Sequence, residues 1–159
     1  MRVGTGFDVH RFNDGGQLYL GGVRIPFAKG LIGHSDADVV IHAVIDALLG
    51  SIAARDIGSH FPDTEIEYKD VSSVELLRKT KNIVVNEGYA IVNIDVTAIL
   101  EEPRISDHRQ AMREKIAIAL GIDVSKVSVK ATTSEGLGFT GRSEGIAAQA
   151  VALVDEEVL

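Results

Sequence analysis

Residues 34–54 read HSDADVVIHAVIDALLGSIAA, and the reading of this stretch decides the fold. It is the clearest helix of the chain. Ser35 has the chemistry of an N-cap, and Asp38, three residues on, completes an acidic capping box. Val39, Val40, Ile41, Val44, Ile45, Leu48 and Leu49 then leave the helix apolar over most of its circumference. Such a helix is buried, so the rest of the chain has to supply layers that cover it. Asp38, His42 and Asp46, spaced i, i+4, i+8, form its one polar stripe.

The neighbouring segments supply those layers. MRVGTGFDVH (1–10) alternates as a first strand. QLYLGGVRIPF (17–27) places Gly21-Gly22 between two short apolar runs, a hairpin signal. RDIGSHFPDTE (55–65) reads as a long polar loop. SSVELLRKTKNIVVNEG (72–88) is an amphipathic helix closed by Gly88, and YAIVNIDVTAIL (89–100) a strand rich in β-branched residues. SDHRQAMREKIAIALG (106–121) is a third helix, capped by Ser106 or Asp107 and ended by Gly121. KVSVKATT (126–133) is a strand, SEGLGFTGRSEG (134–145) a glycine-rich loop, and IAAQAVALVDEEVL (146–159) a last strand. Strands alternating with helices predict an α/β sandwich of the α+β kind, with helices covering one face of a sheet. At 159 residues, with no repeat or linker, the chain reads as one domain over 1–159.

Composition narrows the chemistry. There is no cysteine, which removes disulfides and thiolate zinc sites together, so a metal here is held by His, Asp or Glu. The net charge of −7, without a Lys/Arg cluster, argues against nucleic acid. No secretory signal and no apolar run of membrane-spanning length is visible. The expectation is a soluble cytoplasmic protein.

Asp8 and His10 flank one apolar residue. Residues two apart on a strand share a face, so the pair can converge on one point; standing alone, it reads first as a solvated strand end. His42 on its apolar helix needs partners. Either it is a core histidine satisfied by Asp38 or Asp46, or it is a third ligand oriented by one of them. Asp8, His10 and His42 would give an O,N,N set suited to tetrahedral zinc with one open position, and the residues alone leave both readings standing. His34-Ser35 enters the helix where orphan N–H groups can receive an anion, although a plain N-cap explains the same residues. In the loop after residue 130, glycines, hydroxyls, Glu135 and Arg142 suit a phosphate and Mg²⁺, but composition alone reads there as a connecting loop. Asp56 and Asp63 read as turn formers. Asp107-His108 reads as helix capping, and His60 has no assignable role.

Together, GFDVH (6–10), GGVRIP (21–26), GLIGHSDADVVIHAVIDALLG (30–50), DIGSHFPDT (56–64) and KATTSEGLGFTGRSEGIAA (130–148) resemble the 2-C-methyl-D-erythritol 2,4-cyclodiphosphate synthase family. The resemblance runs over nearly the whole chain. It implies a mixed β-sheet covered by helices on one face, assembled as a homotrimer with active sites at the subunit interfaces. The implied activity is closure of 4-diphosphocytidyl-2-C-methyl-D-erythritol 2-phosphate into a cyclic diphosphate with release of CMP, in the non-mevalonate isoprenoid pathway. It implies that Asp8, His10 and His42 hold zinc and that Glu135 holds a second divalent cation, Mg²⁺ or Mn²⁺. It implies His34 and Thr133 as stabilisers of the transition state. Asp8, Val9 and His10 would touch the substrate, and His34 and Ser35, Asp56, Ile57 and Gly58, and Phe61, Pro62, Asp63, Thr64 and Glu65 would line the methylerythritol phosphate side. Leu100, Arg104, Ile105 and Ser106, with Thr132, Thr133, Ser134 and Glu135, would hold the cytidine diphosphate end. Phe139 and Arg142 would face this site or the trimer's central cavity. The chain departs from the family pattern at Ala37, Leu100, Arg104, Gly136 and Ser143, and none of the implied metal ligands departs. Two other readings share the same residues. One is a metal-dependent nucleotide-binding protein, which needs no second metal ligand at Glu135. The other is a metallo-phosphohydrolase with Asp56 activating water.

Overall fold

The computed structural model describes residues 1–156. Its centre is a five-stranded mixed sheet in the order β4-β1-β7-β5-β6, where β1 is Arg2–Asp14, β4 Lys29–Leu31, β5 Tyr89–Ile99, β6 Val127–Thr132 and β7 Gly145–Glu156. β5 and β6 run parallel; the β1–β4, β1–β7 and β5–β7 pairs are antiparallel. A separate hairpin, β2 (Leu18–Leu20) and β3 (Val23–Ile25), turns on Gly21 and Gly22. Both glycines have positive φ, 59° and 76°, the backbone that a two-residue hairpin turn of matching twist requires.

The helices α1 (Val39–Ser51), α3 (Ser73–Asn86) and α4 (Arg109–Leu120) cover one face of the sheet, and a single helical turn, α2 (Ile57–His60), follows α1. On β7 the even residues Ile146, Ala148, Ala150, Ala152 and Val154 are buried beneath the helices. Val151 on the opposite face is exposed, as are Val3, Phe7 and Val9 of β1. α1 is buried over Val39–Ile45 and Ala47–Leu49, as its apolar circumference predicted. Each fully buried Val, Leu or Ile there contributes about 1.5–3 kcal/mol relative to exposure.

Two glycines set how close α1 comes to the sheet. A Cβ on Gly6 would lie 1.9 Å from the Ala43 carbonyl oxygen, and one on Gly4 would lie 2.1 Å from that of Ala47. Nothing larger than hydrogen fits at either position. The helix backbone therefore lies directly on β1, and residues 8 and 10, of the same parity as 4 and 6, point to the α1 side.

Several local expectations need correction. α1 begins at Val39 and its N-cap is Asp38, not Ser35. The Asp38 carboxylate accepts from the Ile41 N–H and also from the Gly21 and Gly22 N–H groups. The hairpin turn has thus recruited the carboxylate to fix itself to the helix end. Neither Ser106 nor Asp107 caps α4: Ser106–His108 forms a 3-10 turn, and the helix starts at Arg109 without a side-chain cap. The stretch 55–65 holds α2, and the glycine-rich loop holds another single turn, α5 (Gly138–Gly141). β1 runs on to Asp14, where its far end pairs with β4. The expected last strand is present to Glu156; its final three residues lie outside the described residues.

Candidate active site: a three-ligand metal cluster and a separate nucleotide cavity

Asp8 and His10 project from β1 toward α1, which brings His42. The three donor atoms meet: His10 Nε2 lies 2.9 Å from Asp8 Oδ2, His42 Nδ1 lies 3.1 Å from the same oxygen, and the two ring nitrogens are 3.1 Å apart. Each imidazole is fixed from behind. His10 Nδ1–H donates to the Ile32 carbonyl at 2.7 Å. His42 Nε2 lies 2.9 Å from Ser73 Oγ and 3.0 Å from Ser35 Oγ. Ser73 gives its hydroxyl proton to the Asp36 carboxylate, whose other oxygen accepts the Ser73 N–H at 3.1 Å. The Ser73 oxygen therefore accepts from His42 Nε2–H, so in the neutral imidazole Nδ1 keeps its lone pair for a cation, and in the metal-free protein a proton there bonds Asp8.

Three lone-pair donors this close repel unless a cation stands among them, either a proton or a metal ion. Ligand atoms about 2.0 Å from a tetrahedral ion are separated by about 3.3 Å, near the spacings seen here, so the donor set fits such an ion. Burial pushes the Asp8 carboxyl up, but hydrogen bonds and charge from His10 and His42 outweigh it and hold Asp8 well below the usual carboxylate range. Burial lowers His10, and the Asp8 carboxylate more than reverses this, so its imidazole is raised.

The partners expected for His42 are elsewhere. Asp38 is spent on backbone N–H groups, and burial raises its carboxyl, with Asp36 adding to the effect. Asp46 accepts from the Ile57 N–H at 2.8 Å, fixing α2, and burial raises it too. Ser73 and Asp36 do the orienting instead. In the sequence Ser73 is only the second residue of the amphipathic segment 72–88, and no local pattern marks it as a partner of His42.

The cluster opens into a cleft of about 240 Å³, also lined by Gly33, His34, Ser35, Ile57, Gly58, Phe61 and Asp63. His34 Nε2 is buried and, among the described residues, has no hydrogen-bond partner. Because Asp38 closes the end of α1, His34 and Ser35 do not form a helix-end anion site. Asp56 caps α2 by accepting from the Ser59 N–H, and the Ser59 hydroxyl and N–H lower its carboxyl. Pro62, Thr64 and Glu65 form the turn beyond Phe61 and do not line the cleft. Val9 faces the other side of β1, where it shares a small cavity with Phe139 and Glu144. Arg142 pairs with Glu144 at 3.0 Å.

The remaining expected residues gather elsewhere. Leu100, Arg104, Ile105, Ser106, Thr132 and Thr133 line a cavity of about 390 Å³, with Glu101 and Arg109. Leu100 and Ile105 are buried and form its floor. Ser134 and Glu135 lie just past Thr133 on the loop. The two clefts share no residue. Both lie at one end of the sheet, where Val9 pairs with Ala147, Ala147 with Ile99, and Ile99 with Thr132. β7 and β5 separate β1 from β6, a span of about 14 Å at ordinary strand spacing.

The YgbB family model matches residues 1–155. A curated relative from Rubrobacter xylanophilus is 58% identical, covering 99% of this chain and 96% of its own; one from Chlorobium phaeobacteroides is 56% identical, covering 98% of both. Both are named 2-C-methyl-D-erythritol 2,4-cyclodiphosphate synthase. Among solved structures, the bifunctional IspDF of Campylobacter jejuni superposes with a TM-score of 0.94 at 41% identity, over 98% of this chain; the chain spans 42% of that protein's length. A CDP complex of IspF from Plasmodium falciparum gives 0.86 at 32% identity, over 99% of this chain and 97% of the other. Fold, cluster and relatives agree, and the chain belongs to the YgbB family, that of the 2-C-methyl-D-erythritol 2,4-cyclodiphosphate synthases.

Proposed function

We propose that this chain, acting as one domain, converts 4-diphosphocytidyl-2-C-methyl-D-erythritol 2-phosphate to 2-C-methyl-D-erythritol 2,4-cyclodiphosphate and CMP, in non-mevalonate isoprenoid precursor formation in the cytoplasm. The observation that carries this reading is the convergence of Asp8, His10 and His42 donor atoms within 4.8 Å of one another, in a chain so similar to the named synthases.

The nucleophile is the substrate's own 2-phosphate, anionic at neutral pH, so the protein needs neither a nucleophile nor a strong base. A 2-phosphate oxygen bonds to the β-phosphorus, the bond from that phosphorus to the bridging oxygen breaks, and CMP leaves with the oxygen. Asp8, His10 and His42 would hold Zn²⁺ with one position open, and Glu135 would hold Mg²⁺ or Mn²⁺. Bound there, such ions neutralise and polarise the two phosphates. His34 lines the cleft, and its ring nitrogen Nε2 has no hydrogen-bond partner among the described residues, which supports a role on a phosphate oxygen. Thr133 Oγ1 accepts the Glu135 N–H at 3.2 Å, which leaves its own proton free for the transferring phosphoryl group.

One chain carries both halves of this site apart, on β1 and beyond the end of β6 with β7 and β5 between, which supports a homotrimer that joins the metal half of one copy to the nucleotide half of the next. The apolar residues Val3, Phe7, Val9 and Val151 on the uncovered sheet face support the same assembly. Among the described residues no helix is long and apolar enough to cross a membrane.

The test is turnover by the purified protein with this substrate, Zn²⁺ and Mg²⁺, following CMP by chromatography. Stoichiometric CMP is expected. CDP binding without CMP release would replace this reading by a nucleotide-binding one.

A further inference from the structure

We infer that Glu101 is a positioning residue for Glu135: its carboxylate fixes the backbone on both sides of Glu135 and so presents that side chain to the second divalent cation. The inference rests on the reading of Glu135 given above.

Glu101 follows the end of β5, and one of its oxygens, Oε1, accepts from the Ser134 N–H at 3.1 Å and the Gly136 N–H at 3.4 Å. These are the amides that flank Glu135. Glu135 and Gly136 are consecutive left-handed residues, φ 56° and 73°. Glycine adopts that backbone freely; glutamate does so only when its surroundings impose it. Two N–H groups converging on one oxygen form the concave arrangement that binds anions, and here a carboxylate of the chain fills it. Ser134 Oγ lies 3.4 Å from the same Glu101 oxygen; the remaining bonds of this part of the loop are local: Thr140 Oγ1 donates to Ser134 Oγ at 2.7 Å, Ser134 Oγ to the Leu137 carbonyl at 2.7 Å, and Leu137 N–H to the Ser134 carbonyl at 3.0 Å. Among the described residues, Glu101 is the one side chain outside residues 132–145 that bonds residues 133–137. Without it the loop stays folded on itself but loses its registration to β5 and to the cavity that Glu101 also lines. A charged acceptor makes the stronger bonds, and glutamine keeps one acceptor oxygen.

The opposite role is that Glu101 fills a nest meant for a substrate phosphate, in which case its removal would tighten nucleotide binding. Titration calorimetry of CDP into the zinc-loaded protein, without and with Mn²⁺, separates the two. Wild type is expected to bind CDP more tightly with Mn²⁺. Glu101→Ala is expected to lose about tenfold of that gain, the size of lost hydrogen bonds to a charged group, and Glu101→Gln to keep most of it. Glu135→Ala should lose the gain entirely, and adding Glu101→Ala to it should cost nothing more. Zinc content stays at one per chain throughout as the folding control. An intact Mn²⁺ gain in Glu101→Ala, tighter CDP binding, or losses that add in the double variant overturn the inference while leaving Glu135 as a ligand. No Mn²⁺ gain in wild type overturns the Glu135 reading, and this one with it.

Discussion

The Ser73 hydroxyl lies 2.9 Å from His42 Nε2 and passes its own proton to Asp36, so a serine and an aspartate outside the cluster fix which nitrogen of His42 faces Asp8 and His10. Histidine ligands are commonly oriented this way, and loss of the orienting partner costs about 10–100-fold in metal affinity. Ser73→Ala leaves Ser35 Oγ at 3.0 Å as a second acceptor, so the expected loss is at the lower end, about tenfold. Competition against a chromophoric zinc chelator measures it, and an unchanged affinity would show that Ser73 does not orient the ring.

Gly6 tests whether the site depends on the close approach of α1 to β1. A methyl at Gly6 meets the Ala43 carbonyl at 1.9 Å, so Gly6→Ala has to move the helix that carries His42. A stability loss of about 3 kcal/mol is expected in urea unfolding, together with weakened zinc binding. Gly88→Ala is the control. It too adds a methyl, at φ 83° but with nothing within 4 Å, so it is expected to cost about 1 kcal/mol and leave zinc binding unchanged.

The zinc-free protein has a defined acid response. The Asp8 carboxyl is lowered from its ordinary value of 3.8, so its contribution is present above that value and is lost as pH falls through the depressed native one. The His10 imidazole is raised from 6.5, so its contribution is full below 6.5 and is lost as pH rises through the native value. The pair therefore stabilises the chelator-treated protein most between 3.8 and 6.5. Urea unfolding against pH should show Asp8→Asn losing most stability in that window and little above the raised His10 value; a uniform loss at all pH would contradict the coupling.

Much of this was legible in the sequence because it rests on short-range regularities. The common parity of Asp8 and His10 put the pair on one face of a strand, and the apolar girth of residues 39–49 required that helix to be buried; that the face is the one against α1 follows from the close approach at Gly4 and Gly6 in the structure. The parts that escaped are long-range. Asp38 caps α1 because the Gly21-Gly22 turn folds back onto it, and no local pattern around Asp38 records that. Ser73 and Asp36 meet His42 only after α3 packs on α1. Residues 8–10 and 132–135 read as one site through resemblance, whereas the strand order puts β7 and β5 between them.

That separation predicts complementation. His42→Ala and Glu135→Ala each remove one half of the site and should each be inactive alone. In trimers assembled from equal amounts of the two chains, about one quarter of the interfaces would pair an intact metal half with an intact nucleotide half. Co-refolded mixtures should recover about that fraction of wild-type CMP release. No recovery would place both halves of a working site within one copy.

The central claim is cyclisation, and phosphorus NMR of a single reaction tests it most directly. The purified protein with 4-diphosphocytidyl-2-C-methyl-D-erythritol 2-phosphate, Zn²⁺ and Mg²⁺ should convert the substrate's three phosphorus signals into that of CMP and the coupled pair of a cyclic diphosphate. A linear phosphate product, formed by attack of water, would contradict it.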